Sequence, residues 1–217
     1  MLVKEIMTRN VVAIGPDTPI RDVQALMEQR NIRHFPILEG RSGGAGSDHL
    51  LGIVSDRDLR LVGADHPKAP KGVTASHPVR DVMVPEVLVA HPEDPVEETA
   101  KVLRDNKIGA MPVMDDGRLV GIVTGIDMLD ALVRMSGVKG ASSRLEVELV
   151  DRPGALAGLL DRVASRNINV SSVLTARADE ASVTFVLRVG TLDGHGLAAH
   201  LRGLGYNVLW PPETTEA

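Results

Sequence analysis

The chain has 217 residues, of which 43% are hydrophobic and 24% charged, so it is long enough for two modest domains with cores of their own. Aromatic residues make up only 2%, and the net charge is −5 without a cluster of lysine or arginine, which argues against a nucleic-acid partner. The absence of cysteine excludes disulfides, thiolate nucleophiles and cysteine metal sites. The N-terminus lacks the apolar core of a signal peptide and no apolar run reaches about 18 residues, so a cytoplasmic protein without a membrane partner is expected.

The first two thirds of the chain contain an internal repeat. VKEIMTRNVVAIGPDTP, from Val3, aligns with VRDVMVPEVLVAHPEDP, from Val79, and GIVSDRDL, from Gly52, aligns with GIVTGIDM, from Gly121. The first copy has seven extra residues, which fall in EGRSGGAGSDH (residues 39–49). This composition predicts a flexible hairpin tip on the surface.

Each copy predicts the element order β-α-β-β-α. The strands VVAI and VLVA precede the amphipathic helices PIRDVQALMEQRN and PVEETAKVLRDNK, and two further strands lead to the helices DRDLRLVG and GIDMLDALVRM. A single copy is too short to bury a core alone, so we expect the two to pack as a pseudo-symmetric pair. Residues 64–78, rich in proline and lysine, are interpreted as a linker between domains at 1–63 and 79–137.

The last part of the chain follows another pattern. RLEVELV alternates polar and apolar residues as a half-buried strand does, DRPG turns the chain into the helix ALAGLLDRVASRN, and the strands INVSSVLTAR and ASVTFVLRV, joined by a turn at residues 178–180, follow. A second helix and the strand YNVLW complete the order β-α-β-β-α-β, which predicts a ferredoxin-like sheet over residues 143–211. The predicted class is α+β.

The repeated phrase places Ser55 three residues before Asp58, and Thr124 three residues before Asp127. A hydroxyl residue followed at the third position by an acid is typical of a helix-capping box. The same geometry could hold a nucleotide, because helix-terminal amides attract a phosphate and a carboxylate accepts ribose hydroxyls. The residues alone leave both interpretations open.

Residues 1–137 contain, in order, MT near the start, P-x-T/D-P, HFPIL or AMPVM, and GIV-S/T-x-x-D, and nearly all of this set is written twice. It resembles a pair of cystathionine-β-synthase (CBS) domains, or Bateman module. The resemblance implies binding of an adenosine-containing effector (AMP, ADP, ATP, NAD or S-adenosylmethionine) between the copies, with no required cofactor. It assigns Ser55 and Thr124 to phosphate or ribose, and Asp58 and Asp127 to the ribose hydroxyls. The apolar walls that it implies are Ile53 and Ile122, faced by Val12, Ile32, Leu88 and Ile108.

The two copies differ beside the implied site. The first has Arg33 and His34 where the second has Gly109 and Ala110, and Arg57 follows Ser55 with one residue between. We therefore expect the first cleft to favour a phosphorylated nucleotide and the second to be weaker or to take a less charged adenosine. The alternative for the two arginines is a solvated surface charge.

The segment LVDRPGALAGLLDRVASRNINV (residues 149–170) resembles an ACT domain, a regulatory module that often senses amino acids. The resemblance implies either dimerisation or an amino-acid site, whose lining residues would be Asp151, Gly154, Ala155, Leu156 and Asn169.

No catalytic or metal site is visible: the seven histidines lack metal-ligand spacing, and G-x-S-x-G, G-x-G-x-x-G and P-loop motifs are absent. The domain order resembles the acetoin utilization B protein family, which is thought to be regulatory. We therefore expect a regulatory, nucleotide-binding homodimer, with an unidentified protein target, rather than an enzyme. The alternatives are a structural dimerisation scaffold that binds no ligand, and an unrecognised nucleotide-hydrolysing enzyme.

Overall fold

The computed structural model describes residues 1–39, 49–64, 66–138, 140–178 and 181–213. The chain divides into two compact units, Met1–Leu129 and Asp130–Ala217. None of the described helices is long and apolar enough to cross a membrane. The predicted hairpin tip at residues 39–49 and the predicted turn at residues 178–180 fall mainly on residues 40–48 and 179–180, which lie outside the described residues.

The described residues of the first copy form two α-helices and a pair of strands, preceded by a 3-10 turn at Val3–Glu5. They are helix α1 (Ile20–Arg30), the antiparallel strands β1 (His34–Leu38) and β2 (Leu50–Ser55), and helix α2 (Asp56–Arg60). Helix α1 forms because its apolar residues recur on one face, which is buried, and it ends at Asn31 in the left-handed conformation. Helix α2 has only five residues and is shorter than predicted, because a turn follows it and Gly63 adopts a φ of 74°.

The second copy repeats this arrangement with helix α3 (Val96–Asn106), strands β3 (Ala110–Asp115) and β4 (Arg118–Thr124), and helix α4 (Gly125–Met135). Lys107 ends α3 with a φ of 55°, as Asn31 ends α1 with a φ of 52°. The pseudo-symmetry that the sequence predicts therefore extends to the backbone conformation at the helix ends.

The predicted strands VVAI and VLVA pair with the sheets at one residue each. Ile14 forms a parallel bridge with Ile37, and Ala90 forms one with Val113. Pro16 and Pro92 follow within two residues, and a proline has no N–H to continue a ladder. These two predicted strands are thus reduced to single bridges.

The segments that precede each copy's first bridge cross to the other copy. We call residues 1–8 the first strap and residues 77–84 the second strap. In the first strap, Val3 N donates to Asp94 O over 3.0 Å, and in the second, Val79 N donates to Thr18 O over 2.9 Å. Val3 is buried in the core cluster of the second copy and Val79 in that of the first. Each core is therefore completed by a strap from the opposite copy, and the boundaries 1–63 and 79–137 stay predictions.

Each strap also extends the opposite sheet by one antiparallel bridge. Thr8 and Ile122 exchange two backbone hydrogen bonds of 2.9 and 3.0 Å, and Ile53 and Val84 do the same. The residue before each isoleucine is a glycine because the strap methionine lies where a side chain would be. A Cβ at Gly52 would lie 2.8 Å from Met83 Sδ. The equivalent distance from Gly121 to Met7 Sδ is 2.6 Å.

The second unit contains the predicted ferredoxin-like order. Its elements are β5 (Ser143–Val150), α5 (Ala155–Ala164), β6 (Val170–Ala178), β7 (Ser182–Val189), α6 (Gly194–Gly203) and β8 (Asn207–Trp210). The strands form one antiparallel sheet in the order β6-β7-β5-β8. Alternate residues of β5 are buried in a core that also contains apolar residues of α5 and α6. The βαββαβ prediction is confirmed.

Candidate functional site

A hydroxyl residue and an aspartate form the same structure at the end of β2 and at the end of β4. Ser55 Oγ donates to Asp58 Oδ2 over 2.6 Å, and Ser55 N donates to the same oxygen over 2.8 Å. Thr124 Oγ1 and Thr124 N each donate to Asp127 Oδ2 over 2.7 Å. The aspartate N–H groups return weak bonds of 3.4 Å to the hydroxyl oxygens. Both motifs are therefore complete capping boxes.

The cap uses only one oxygen of each carboxylate. Among the described residues, the hydrogen bonds to Asp58 and Asp127 all end on Oδ2. Both side chains are half-buried, and an ionised carboxylate accepts hydrogen bonds through both oxygens. Oδ1 can therefore accept from the hydroxyls of a ligand while the cap stays intact, so the two interpretations of the motif are compatible.

The residue that stands opposite the hydroxyl differs between the copies. In the β1–β2 ladder His34 pairs with Ser55, and in the β3–β4 ladder Ala110 pairs with Thr124. Directly opposite residues of an antiparallel pair project from the same face, with Cβ atoms about 5 Å apart. An imidazole therefore lies beside the first hydroxyl and a methyl group beside the second.

The His34 ring also contacts the second copy. A Cβ at Gly109 would lie 2.8 Å from His34 Nε2 and 3.0 Å from Cε1. Gly109 O accepts a hydrogen bond of 3.2 Å from Gly125 N, the residue after Thr124. The ring thus lies against the backbone that supports the second motif. The sequence showed Gly109 as a difference from Arg33, but it gave no sign that Gly109 contacts His34.

Burial lowers the pKa of His34 below 6.5, and the positive charges of Arg33 and Arg57 lower it further, while the carboxylates of Asp56 and Asp58 oppose the shift. The ring is therefore mostly neutral near pH 7. Arg33 and Arg57 are exposed, and neither forms an ion pair within the described part of the chain. Because α2 has only five residues, a positive potential at the first motif depends on these side chains more than on the helix dipole.

The six apolar residues that the resemblance implied occupy different environments. Ile122 is buried, Leu88 is 44% exposed, and the others are half-buried. Val12 and Ile32 pack against the core of the first copy, and Ile108 packs against that of the second. Ile53 holds the second strap through its backbone. Their role as walls of a ligand pocket stays a prediction.

The second unit contains a groove of about 580 Å³ at the start of α5. Two residues of the implied amino-acid site, Gly154 and Ala155, line it, and Asp151 and Leu156 are not among its lining residues. Asn169 lies beyond the opposite end of α5, so one chain does not bring it together with Gly154. The sequence analysis missed other lining residues because they come from β5 and from the region where β8 begins: Glu148, Tyr206 and Asn207.

Comparison with protein families gives two matches. The CBS domain model matches residues 3–65 and 79–134, and the ACT domain model matches residues 143–205. A CBS domain-containing protein of Dictyostelium discoideum is 31% identical over 142 residues, which are 62% of this chain and 93% of that protein. Inosine-5'-monophosphate dehydrogenase of Thermoplasma acidophilum is 30% identical over 194 residues, 83% of this chain, but the chain spans only 36% of that enzyme's length.

Solved structures of similar fold match the repeat. The CBS domain pair of protein MJ0100, in complex with 5'-methylthioadenosine and S-adenosyl-L-methionine, is 26% identical with a TM-score of 0.51, covering 61% of this chain and 95% of that one. CBSX2 in complex with AMP is 27% identical with a TM-score of 0.52, covering 61% and 96%. A Vibrio cholerae protein named for acetoin utilization is 30% identical with a TM-score of 0.51, covering 62% and 91%.

Proposed function

Because the chain belongs to the CBS-domain family and carries two CBS domains followed by a C-terminal ACT domain, we propose that it is a regulatory protein that senses an adenosine-containing nucleotide. In this proposal the ligand binds in the cleft between the CBS copies. The two matched families, CBS and ACT, are regulatory rather than catalytic domains. Two related CBS pairs have been solved with adenosine ligands. Regulation requires that the ligand bind two states of the protein with different affinity.

The observation that carries this proposal is the pair of hydroxyl–carboxylate motifs, each with one carboxylate oxygen outside the cap. In our proposal Oδ1 of Asp58 and of Asp127 accept the ribose hydroxyls, and Ser55 and Thr124 contact a phosphate or the ribose. A hydroxyl can accept a hydrogen bond from the ligand while it donates to the aspartate. To donate to a phosphate it would have to rotate away from Oδ2, which the ribose hydroxyls could then occupy.

The two clefts differ in the charge that they can offer a ligand. Beside Ser55 stand His34, Arg33 and Arg57, whereas Ala110 stands opposite Thr124. We expect the Ser55 cleft to prefer phosphorylated nucleotides and the Thr124 cleft to bind weakly or to take a less charged adenosine. Phosphorylated nucleotide found in the Thr124 cleft alone would contradict this assignment.

Calorimetric titration of the full chain with AMP, ADP, ATP, NAD and S-adenosylmethionine tests the proposal. Asp58→Ala and Asp127→Ala should each remove binding in their own cleft. Asp58→Asn keeps a side-chain oxygen for the cap and covers the case in which the alanine variant does not fold. Asp161→Ala, an exposed aspartate of α5, is the matched control and should bind as the wild type does. A folded wild-type protein that binds none of the five ligands would favour the scaffold alternative, and consumption of the ligand would favour an enzyme.

We infer that two copies of the chain associate through helix α4. Its residues Ile126, Leu129 and Leu132 are 66%, 57% and 51% exposed and lie with Val133 on one side of the helix, while Ala131 is buried on another. A helix with apolar residues on two sides usually has both sides packed against protein. Ala131 packs within the chain, so the exposed side is available to a second copy. The first copy has Arg57 and Arg60 where Ile126 and Leu129 stand, so the fold itself does not require apolar residues there.

The charges beside this apolar side suit an antiparallel pair of α4 helices. Asp130 precedes Arg134 by one turn, so a two-fold axis near the middle of the helix brings the acidic part of one copy towards the basic part of the other. Leu129→Glu should therefore convert a dimer to a monomer in light scattering. Leu192→Glu, which changes a leucine that is 81% exposed elsewhere, should not. A wild-type mass of one chain, or a dimer that both variants retain, would refute this interface.

The ACT unit keeps its two predicted roles, dimerisation and amino-acid sensing. In the groove Asn207 Nδ2 donates to Glu148 Oε2 over 2.7 Å, and Arg152 adds a cation. A carboxylate and a cation in one groove are the groups that would pair with the ammonium and carboxylate of an amino acid. A thermal-shift screen of the amino acids, repeated on Glu148→Gln, separates the roles, because a dimerisation domain would respond to none.

A further inference from the structure

His34 occupies a position that no residue of the second copy reproduces. Its ladder partner is Ser55, and its ring lies against Gly109 of the opposite copy, where a Cβ would come within 2.8 Å of Nε2. The equivalent position in the second copy is Ala110, opposite Thr124. The histidine is thus held at the contact between the copies, beside the first hydroxyl and close to the backbone of the second motif.

The groups that face the ring are of both signs. Arg33, the residue before His34, and Arg57 on α2 are positive. Asp56 and Asp58 on α2 are negative, and the second copy presents the uncharged Gly109. Desolvation is the largest influence on the ring and disfavours its charged form, so the pKa of His34 lies below 6.5. Near pH 7 the unliganded site therefore holds a mostly neutral imidazole, on which two guanidinium groups and two carboxylates exert opposing electrostatic effects.

We propose that His34 couples nucleotide binding in the first cleft to proton uptake: when a phosphate is bound beside Ser55, the ring takes up a proton from solvent and donates a charge-assisted hydrogen bond to a phosphate oxygen. This inference rests on the proposed function and names its regulation. The single bond formed is the N–H of the imidazolium, and its proton is released into solvent by the buffer acid. The contact with Gly109 keeps the His34 ring in place. The second cleft has Ala110 instead of a histidine, so it cannot take up a proton in this way.

The direction of the effect follows from linkage. A bound phosphate is a negative charge that favours the protonated ring, so the bound state holds more protons than the free state. Affinity for a phosphorylated nucleotide must then rise as the pH falls, by up to about tenfold per pH unit in the range between the pKa of the free ring and that of the bound ring. Adenosine has no phosphate and should bind with nearly the same affinity throughout.

The test is calorimetric titration of the full chain with AMP and with adenosine between pH 6.5 and 8.5, in two buffers of different ionisation enthalpy. AMP should bind with buffer-dependent heats that report proton uptake, and the ratio of AMP to adenosine affinity should rise as the pH falls. His34→Gln and His34→Asn should remove the part of the proton uptake that comes from the ring. The proton uptake that remains in these variants measures the titration of the AMP phosphate itself. His195→Gln, an exposed histidine of α6, should leave it unchanged.

Gly109→Ala provides a second readout, because its methyl group would displace the ring. It should lower the affinity for AMP relative to adenosine without abolishing adenosine binding. If AMP binds with the same proton uptake in the wild type and in His34→Gln, the coupling proposed here is wrong while nucleotide binding stands. If neither AMP nor adenosine binds to the folded wild-type protein, the proposed nucleotide binding is wrong for these ligands, and the proton coupling is refuted with it.

Discussion

Gly52→Ala should destabilise the first unit much more than a glycine-to-alanine change usually does. The new Cβ would lie 2.8 Å from Met83 Sδ and also 2.8 Å from Val84 O. The thioether can move, but the carbonyl oxygen accepts the 3.0 Å hydrogen bond from Ile53 N that joins the second strap to β2. Overpacking of this kind costs about 1–3 kcal/mol, and we expect about 2 kcal/mol here because a backbone atom must give way.

Differential scanning calorimetry of the full chain measures the effect, since two units need not unfold together. A loss of about 2 kcal/mol lowers the midpoint of a unit of this size by about 6–10 °C. Gly125→Ala is the matched control. Apart from its chain neighbours and the backbone of its own helix, no described atom lies within 4 Å of its Cβ position at the start of α4, so alanine there should be neutral or stabilising. Equal midpoints for Gly52→Ala and Gly125→Ala would refute the close approach of the strap.

The equivalent change in the second copy should behave differently. At Gly121 the close atom is Met7 Sδ, at 2.6 Å, whereas the carbonyl oxygen of Thr8 is 3.2 Å away. Shortening Met7 should therefore relieve much of the cost of Gly121→Ala, while shortening Met83 should not relieve that of Gly52→Ala. Double-mutant cycles give the two coupling energies, and equal values would contradict this account.

Three further predictions concern single side chains. Ser55→Ala should lower the free energy of unfolding by about 1 kcal/mol through loss of the cap, and a change near zero in urea unfolding would argue that the box is not stabilising. His34 has a lowered pKa in the folded state, so below pH 6.5 the unfolded chain binds more protons, and stability should fall with the pH less steeply in His34→Gln than in the wild type. Gly154 has a φ of 83°, so Gly154→Ala should cost about 1 kcal/mol, whereas Gly203→Ala, in open space, should not.

The sequence predicted the local elements of the repeat well because their signals are local. Apolar periodicity indicated α1 and α3, and alternation indicated β5, all of which the structure contains. The exchange of straps could not be predicted in this way. An alignment of Val3 with Val79 shows that the two residues are equivalent. It does not say which core each one enters, because the hydrophobic cores of the two copies are built from equivalent residues.

The candidate site was predictable in its motifs and not in its contacts. Ser55 and Asp58 stand out because the phrase recurs, yet the spacing of a cap and that of a ribose site are the same. The contact of His34 with Gly109 joins residues 75 positions apart, and neither residue has a pattern that points to the other. In the ACT unit the groove is lined by the first and the last strands of that fold, β5 and β8, as well as by the start of α5, so the segment around Gly154 indicated only one side of it.

The reciprocal straps change what the linker has to do. Because Val3 is anchored in one core and Val79 in the other, each copy is bound to the other through a strap, and the linker is not the sole connection between them. A chain cut within this linker should stay assembled as two fragments, and neither fragment alone would have a complete interior. A ligand bound between the copies, as proposed above, would therefore act on two parts of the chain that cannot separate without first releasing a strap.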